Sequence, residues 1–308
     1  MNDPRVLFAG TPAFALASLE ALVDGGYRPV AVLTQPDRPA GRGKKLTPSP
    51  VKTYALEQSI PVLQPTTLRD PAIGAELEAL KPDLMIVAAY GLILPQSVLD
   101  IPAKGCLNVH GSVLPAWRGA APIQAAILAG DEQTGISLMA MTAGLDCGPV
   151  YVSEAFDIGA DETAGELHDR LAALGGDMLV RHLPGILDGS IAASEQDDDE
   201  ASYAGKIATA DAELDWQLPA MELHRRVRAY NPAPGAWFML GDERIKCWRA
   251  AIRPATGQPP GTLSVDDGVV VACGDCALSL DEVQRPGKKP VSAREFSTQL
   301  DLDGKRLG

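Results

Sequence analysis

From residue 5 to residue 129 the chain alternates short apolar runs with segments of helical period. Residues 5–10 (RVLFAG) read as a strand, and 14–23 as an amphipathic helix stopped at Gly25-Gly26. A second strand is expected at 29–33, a second helix at 51–58 and a short third strand at 61–63. A helix near 72–80 precedes 83–89, an unbroken apolar run suited to a parallel strand buried on both faces. Residues 106–109 form the next strand and 121–129 the next helix. This alternation predicts a doubly wound, mostly parallel α/β sheet.

The pattern then changes. Residues 136–141 and 150–156 are β-like and are joined by AGLDCGP at 143–149, while 163–183 predicts one long helix. The acidic run QDDDE at 196–200 reads as a solvated loop closing a first domain. After one further helix at 219–228, short runs at 236–240, 244–249, 268–272 and 277–280 recur between turns, which predicts a small β-barrel. The domain division expected is 1–205 and 206–308, with no internal repeat.

Composition narrows the classes. A content of 46% hydrophobic and 22% charged residues is that of a soluble globular protein. No apolar run reaches the ~18–20 residues of a membrane span. The first fifteen residues enter a strand almost at once and lack a signal peptide's ordered regions, so a cytoplasmic location is expected. The net charge of −13 argues against non-specific RNA binding, but it is unevenly spread. Residues 1–200 hold 13 Lys+Arg against 26 Asp+Glu, and residues 201–308 hold 14 of each, so any RNA contact needs local basic patches. Five scattered cysteines make no disulfide framework, and Cys273 and Cys276 have CxxC spacing without a second ligand pair.

The candidate chemistry sits in NVHGSVLPAWRG at 108–119. In open α/β sheets ligands bind beyond the carboxyl ends of the strands. Period-two geometry turns Asn108 and His110 to one side and Leu107 and Val109 to the other. An amide and an imidazole on one side suit an oxygen that gains negative charge. Residue types alone equally allow Asn108 to cap a turn and His110 to be a satisfied core histidine. Asp146, in its Gly-flanked loop, is either an ordinary turn aspartate or a carboxylate that holds His110 charged and relays a proton. Other chemistries fit poorly. Pro12 and Phe14 stand where a dinucleotide fold needs glycines, no phosphate-binding GxxxxGK[ST] exists, and the four histidines lack metal-ligand spacing.

At this point residues 107–150 resemble the signature of the folate-dependent formyltransferases, which transfer a formyl group from 10-formyltetrahydrofolate to an amine. FAGTPAFA at 8–15, SYAGKI at 202–207 with AELDW at 212–216, and RAYNPAPGAW at 228–237 are similar to the members whose acceptor is initiator Met-tRNA. Ala233 departs from that pattern, which favours an aromatic residue. The resemblance implies the formyltransferase fold followed by an OB-like, tRNA-binding domain. It implies Asn108, His110 and Asp146 as catalytic residues, 10-formyltetrahydrofolate as co-substrate, and no metal or membrane. A monomer is expected. The folate pocket it implies comprises Ala89, Tyr90, Gly91, Leu92, Ser112, Val113, Leu114, Pro115 and Asp146, with Phe14 at its edge.

The Pro/Gly-rich stretch 36–50, with Arg38, Arg42, Lys44 and Lys45, reads on its own as a charged surface loop. The resemblance implies that it grips the tRNA acceptor end and orders on binding. Arg225, Arg226 and Arg228, with Lys246, Arg249 and Arg253, are expected to offer a basic face on the C-terminal domain. The competing acceptors are an amino-sugar nucleotide, a purine precursor, or water in a formyl-folate hydrolase. A catalytically silent RNA-binding module on the same scaffold is the reading from another class.

Overall fold

The computed structural model describes residues 4–40, 43, 45–265, 268–300 and 302–307. The chain divides into two compact units, each described on its own. The first comprises Met1–Pro122, Thr134–Phe156 and His168–Ala204; the second comprises Ile123–Gln133, Asp157–Leu167 and Gly205–Gly308.

The early elements are β1 (Val6–Gly10), α1 (Ala13–Asp24), β2 (Ala31–Leu33), β3 (Arg38–Ala40), β4 (Lys45–Thr47), α2 (Pro50–Glu57) and β5 (Val62–Leu63). They are followed by α3 (Pro71–Ala79), β6 (Leu84–Ala88), α4 (Gln96–Leu99), β7 (Cys106–His110) and β8 (Arg118–Gly119). Next come α5 (Pro122–Ala129), β9 (Gln133–Ala140), β10 (Val150–Asp157), α6 (Ala164–Asp188) and β11 (Tyr203–Ala204). Seven strands form one sheet in the order β10-β9-β7-β6-β1-β2-β5. The pairs β1–β2, β1–β6, β2–β5 and β6–β7 are parallel, and β7–β9 is antiparallel. The doubly wound, mostly parallel sheet is therefore present.

Burial explains the apolar runs. Every residue of β1, β6 and β7 is buried, as parallel strands covered on both faces require. Leu7, Ala9, Met85, Val87 and Cys106 share a cluster with Leu77 of α3 and Val98 and Leu99 of α4. On the opposite face Val109 meets α6 at Gly175, where an added Cβ would lie 2.9 Å from the Val109 Cγ1. Among the described residues α2, α3 and α5 open on proline, and the first two carry a side-chain cap. Ser49 and Asp70 cap α2 and α3, accepting from the Lys52 and Ala72 N–H groups at 3.0 Å each.

The second unit also contains α7 (Ala220–Ala229), β12 (Ala236–Leu240), β13 (Glu243–Arg253), β14 (Leu263–Val265), β15 (Val269–Ala272), β16 (Ala277–Gln284), β17 (Val291–Ser292) and α8 (Ala293–Gln299). Its strands form an antiparallel sheet, β12-β13-β16-β15-β14, with β17 on β16. The register slips twice beside Arg249 in β13, and such bulges bend a sheet. The expected small barrel is thus a curled half-barrel. Leu223 and Val227 of α7 pack into its core with Phe238, Ile245, Cys247 and Leu280.

Three expectations are corrected. The stretch 36–50 is not an open loop: β3 and β4 pair as a hairpin, with Arg38 opposite Thr47 and Pro39 opposite Leu46. A proline is tolerated there because, among the described residues, each strand pairs with the other alone and keeps an outer edge. The long helix runs on to Asp188, through Pro184. The acidic run is not simply solvated. Asp198–Glu200 is a 3-10 turn, and Asp198 pairs with the buried Arg118 at 2.8 Å. The short elements β8, β11, β14, β17, α4 and α8 have no adequate local signal, since two to seven residues cannot display a period.

Candidate active site

Strand order reverses between β1 and β6, and the crevice at their carboxyl ends is where an open α/β sheet takes its ligand. A cleft of about 370 Å³ lies there, lined among others by Thr11, Pro12, Gln35, Arg38, Ala89, Tyr90 and Gly91. The Tyr90 carbonyl accepts from Thr11 Oγ1 at 3.0 Å and from Gln35 Nε2 at 3.1 Å, which ties these strand ends together. Tyr90 itself is 2% exposed, its hydroxyl has no partner among the described residues, and burial raises its pKa.

Asn108 and His110 occupy the next strand, β7. Asn108 pairs with Val87 across the parallel register, so it and His110 lie on the face of Met85, Val87 and Cys106. Both are buried, at 8% and 6% exposure. The His110 Nδ1 lies 3.8 Å from Asp146 Oδ2, and its Nε2 lies 3.2 Å from the Trp117 carbonyl. A carbonyl only accepts, so Nε2 carries the proton. Burial lowers the His110 pKa, and this outweighs the opposing pull of Asp146 and of the Trp117 carbonyl. Burial thus works against the charged His110 expected beside Asp146, while Asp146 itself favours that form.

Two backbone partners were invisible in the sequence. Besides the Trp117 carbonyl, the Gly119 N–H donates to Asp146 Oδ2 at 2.8 Å. Gly119 has φ +119°, and an added Cβ would stand 2.5 Å from the Ala204 carbonyl oxygen, so glycine is required. Backbone strain concentrates here. Among the described non-glycine residues with positive φ, Ala89 (42°), Trp117 (60°) and Asp146 (50°) all belong to this region, and the others are Ser59 and Lys81. Such conformations cost about 1–3 kcal/mol each and persist where the surroundings impose them.

The folate residues implied by resemblance fall in three places. Ala89, Tyr90 and Gly91 line the cleft, whereas Leu92, Val113 and Pro115 are half-buried outside its lining. The 112–115 turn is fastened to β9 by Ser137. The Ser137 hydroxyl donates to the Ser112 carbonyl at 2.8 Å and accepts from the Leu114 N–H at 3.0 Å. Phe14 is not among the residues lining this cleft. It is buried in α1 with its ring edge-on to His168 at 5.7 Å.

The basic residues also separate. Arg38 lines the cleft and is bonded to Gln35, Lys45 is exposed on β4, and Arg42 and Lys44 lie outside the described residues. In the second unit Arg225 and Arg226 line one groove with Leu128, Met221, Glu222 and Tyr230. Lys246 instead donates to the Pro234 carbonyl at 2.7 Å and sits 5.0 Å from the Trp248 ring centroid. Arg228 is corrected as a phosphate contact: it is buried and donates to the Gly159 and Glu162 carbonyls at 3.2 and 3.4 Å. Arg249 pairs with Glu166 at 3.2 Å.

Comparison with known proteins decides the family. A model described as formyl transferase matches residues 5–183, and one described as formyl transferase, C-terminal domain, matches 206–300. The chain belongs to the formyl transferase family. This formyl transferase chain is 54% identical over 308 residues to a protein from Pseudomonas entomophila strain L48 named methionyl-tRNA formyltransferase, with 99% of each chain covered. It is 50% identical over 306 residues to the protein of that name from Methylococcus capsulatus, again covering 99% of each. Among solved structures, HypX from Aquifex aeolicus in complex with tetrahydrofolic acid is similar, with a TM-score of 0.65 at 17% identity. That match covers 97% of this chain and 47% of HypX, so this chain spans about half the length of HypX. At such identity the likeness is one of fold.

Among the described residues no cluster of His, Cys, Asp or Glu has the make-up of a metal site, and no helix is long and apolar enough to cross a membrane.

Proposed function

We propose that this chain transfers the formyl group of 10-formyltetrahydrofolate to the α-amino group of methionine on initiator Met-tRNA. The observation that carries the reading is the buried His110–Asp146 pair with Asn108 on the same strand, in a chain about half identical to methionyl-tRNA formyltransferases along its length. The catalytic domain is residues 1–205, and 206–308 is an OB-like tRNA-binding domain. The chain acts as a monomer in the cytoplasm, without a metal. Arg38, Arg42, Lys44 and Lys45 meet the acceptor end, and Arg225, Arg226 and Lys246 meet phosphates farther along the tRNA.

In this reading the amine nitrogen attacks the formyl carbon, and the formyl oxygen gains negative charge. The Asn108 carboxamide donates to that oxygen. Neutral His110 accepts at Nδ1 the proton that the amine loses. Asp146, 3.8 Å away, stabilises the imidazolium so formed. His110 then delivers the proton to N10 as the bond between the formyl carbon and N10 breaks. A new C–N bond replaces the old one, and the proton moves from amine to N10. The Trp117 carbonyl keeps Nε2 protonated throughout, which leaves Nδ1 as the base.

The direct test supplies the protein with 10-formyltetrahydrofolate and initiator Met-tRNA and assays formyl-methionyl-tRNA. Formylation of a sugar nucleotide or purine precursor, or hydrolysis of the folate at equal rate without tRNA, would replace this reading with its nearest alternatives.

A further inference from the structure

The residues that hold the Asp146 and Trp117 loops in place converge on one side chain from the acidic stretch after α6. We propose that Gln196 is a positioning residue for formyl transfer, tying the loop that carries Asp146 to the loop that meets His110. Its Nε2 donates to the carbonyls of Asp146 at 2.9 Å and Gly148 at 2.7 Å, which uses both amide protons. Its Oε1 accepts from Arg118 Nε at 3.0 Å. Arg118 is 2% exposed, and its Nη1 is neutralised by Asp198 at 2.8 Å.

The neighbours of Arg118 make this bond consequential. On one side the Trp117 carbonyl meets His110 Nε2, and on the other the Gly119 N–H holds Asp146 Oδ2. The same segment is fixed from behind. The Trp117 and Arg118 N–H groups donate to Ser202 Oγ and its carbonyl, both at 2.9 Å, and the Ala120 N–H donates to the Ala204 carbonyl at 2.8 Å. Gln196 thus joins two loops that lie 50 and 78 residues away in sequence. Asp146 and Trp117 hold positive φ, a conformation that relaxes unless neighbours restrain it. Gln196 touches neither catalytic side chain, so it acts through them. Only a side chain with two N–H donors and an oxygen acceptor on one planar group meets all three partners. Glutamate keeps the acceptor for Arg118 and loses both donors to the Asp146 loop.

This inference rests on the roles proposed for His110 and Asp146, and the experiment separates the two. Gln196→Ala, Gln196→Glu and Asn108→Ala are assayed with both substrates varied, alongside urea unfolding. Both Gln196 variants should lower kcat by about 10- to 100-fold, the scale of a catalytic group displaced by about 1 Å. KM for each substrate should stay within about twofold when rates are expressed per folded molecule from the urea curves, because the site is misaligned and not dismantled. A kcat within about twofold of the parent in either variant would overturn the inference. So would a loss of activity that vanishes once rates are divided by the folded fraction. Normal turnover by Asn108→Ala would instead overturn the functional reading, and this inference with it.

Discussion

His110 and Asp146 form a pair set at 3.8 Å, from Nδ1 to Oδ2, one member 6% and the other 17% exposed at the side chain. The distance is too long for a hydrogen bond and short enough for strong electrostatic coupling in a poorly solvated site. Burial lowers the His110 pKa, and a proton arriving at Nδ1 finds a carboxylate beside it.

Removing a partner of the reacting oxygen should tell on the chemical step. Asn108→Ala is expected to reduce kcat by about 10²- to 10³-fold, as losing one oxyanion donor does. Asp146→Asn keeps an acceptor for the Gly119 N–H but removes the charge. It should lower kcat with little change in KM for the tRNA. Steady-state formylation rates with charged tRNA decide both.

Acid should destabilise the fold through two histidines. His110 is lowered from 6.5 chiefly by burial, and His224 is lowered by burial and then by Arg228. Each binds its proton more weakly folded than unfolded. The stability they contribute is full above their unfolded pKa and is lost as pH falls through the folded values. Urea midpoints should therefore drop between about pH 7.5 and pH 5, and His224→Gln should shrink that drop. An unchanged drop in the variant would remove His224 from the account.

The hairpin makes a different prediction. Replacing Arg42, Lys44 and Lys45 with alanine should weaken tRNA binding and flatten its dependence on salt. The slope should fall by roughly 0.7–0.9 for each phosphate that is no longer neutralised. Affinity for 10-formyltetrahydrofolate should not move. Filter binding of the tRNA across a salt series reads the slope.

Arg225 and Arg228 are three residues apart on α7 yet should behave oppositely. Arg228→Ala strips a buried guanidinium from two carbonyls and should cost about 1.5–3 kcal/mol of stability. Arg225 donates to the Ala129 carbonyl at 3.2 Å and lines an open groove. Arg225→Ala should leave the unfolding midpoint nearly unaltered and reduce the salt slope of tRNA binding.

Ser137 offers a test of the folate wall. Ser137→Ala leaves the Leu114 N–H without its acceptor, at about 1–3 kcal/mol, and frees the 112–115 turn. KM for 10-formyltetrahydrofolate should rise while tRNA affinity holds. Equilibrium binding of each substrate distinguishes the two.

Much of this protein is legible along the chain, because periodicity is a local property. Buried apolar runs announced β1, β6 and β7. Alternation alone turned Asn108 and His110 to one side of their strand. The folding partners of those residues were not legible. Desolvation of His110 depends on what the whole sheet stacks over it, and it opposes the charged form that Asp146 favours. Arg225 and Arg228 carry the same charge in the sequence, and only packing makes one a surface group and the other a core strut. Gln196 sits in an acidic run that composition assigns to solvent, yet it bonds to residues 50 and 78 positions away. Residue types and spacing determined which groups can do chemistry; tertiary structure decided their protonation, their partners and their restraint, because each depends on neighbours that meet only when the chain has folded.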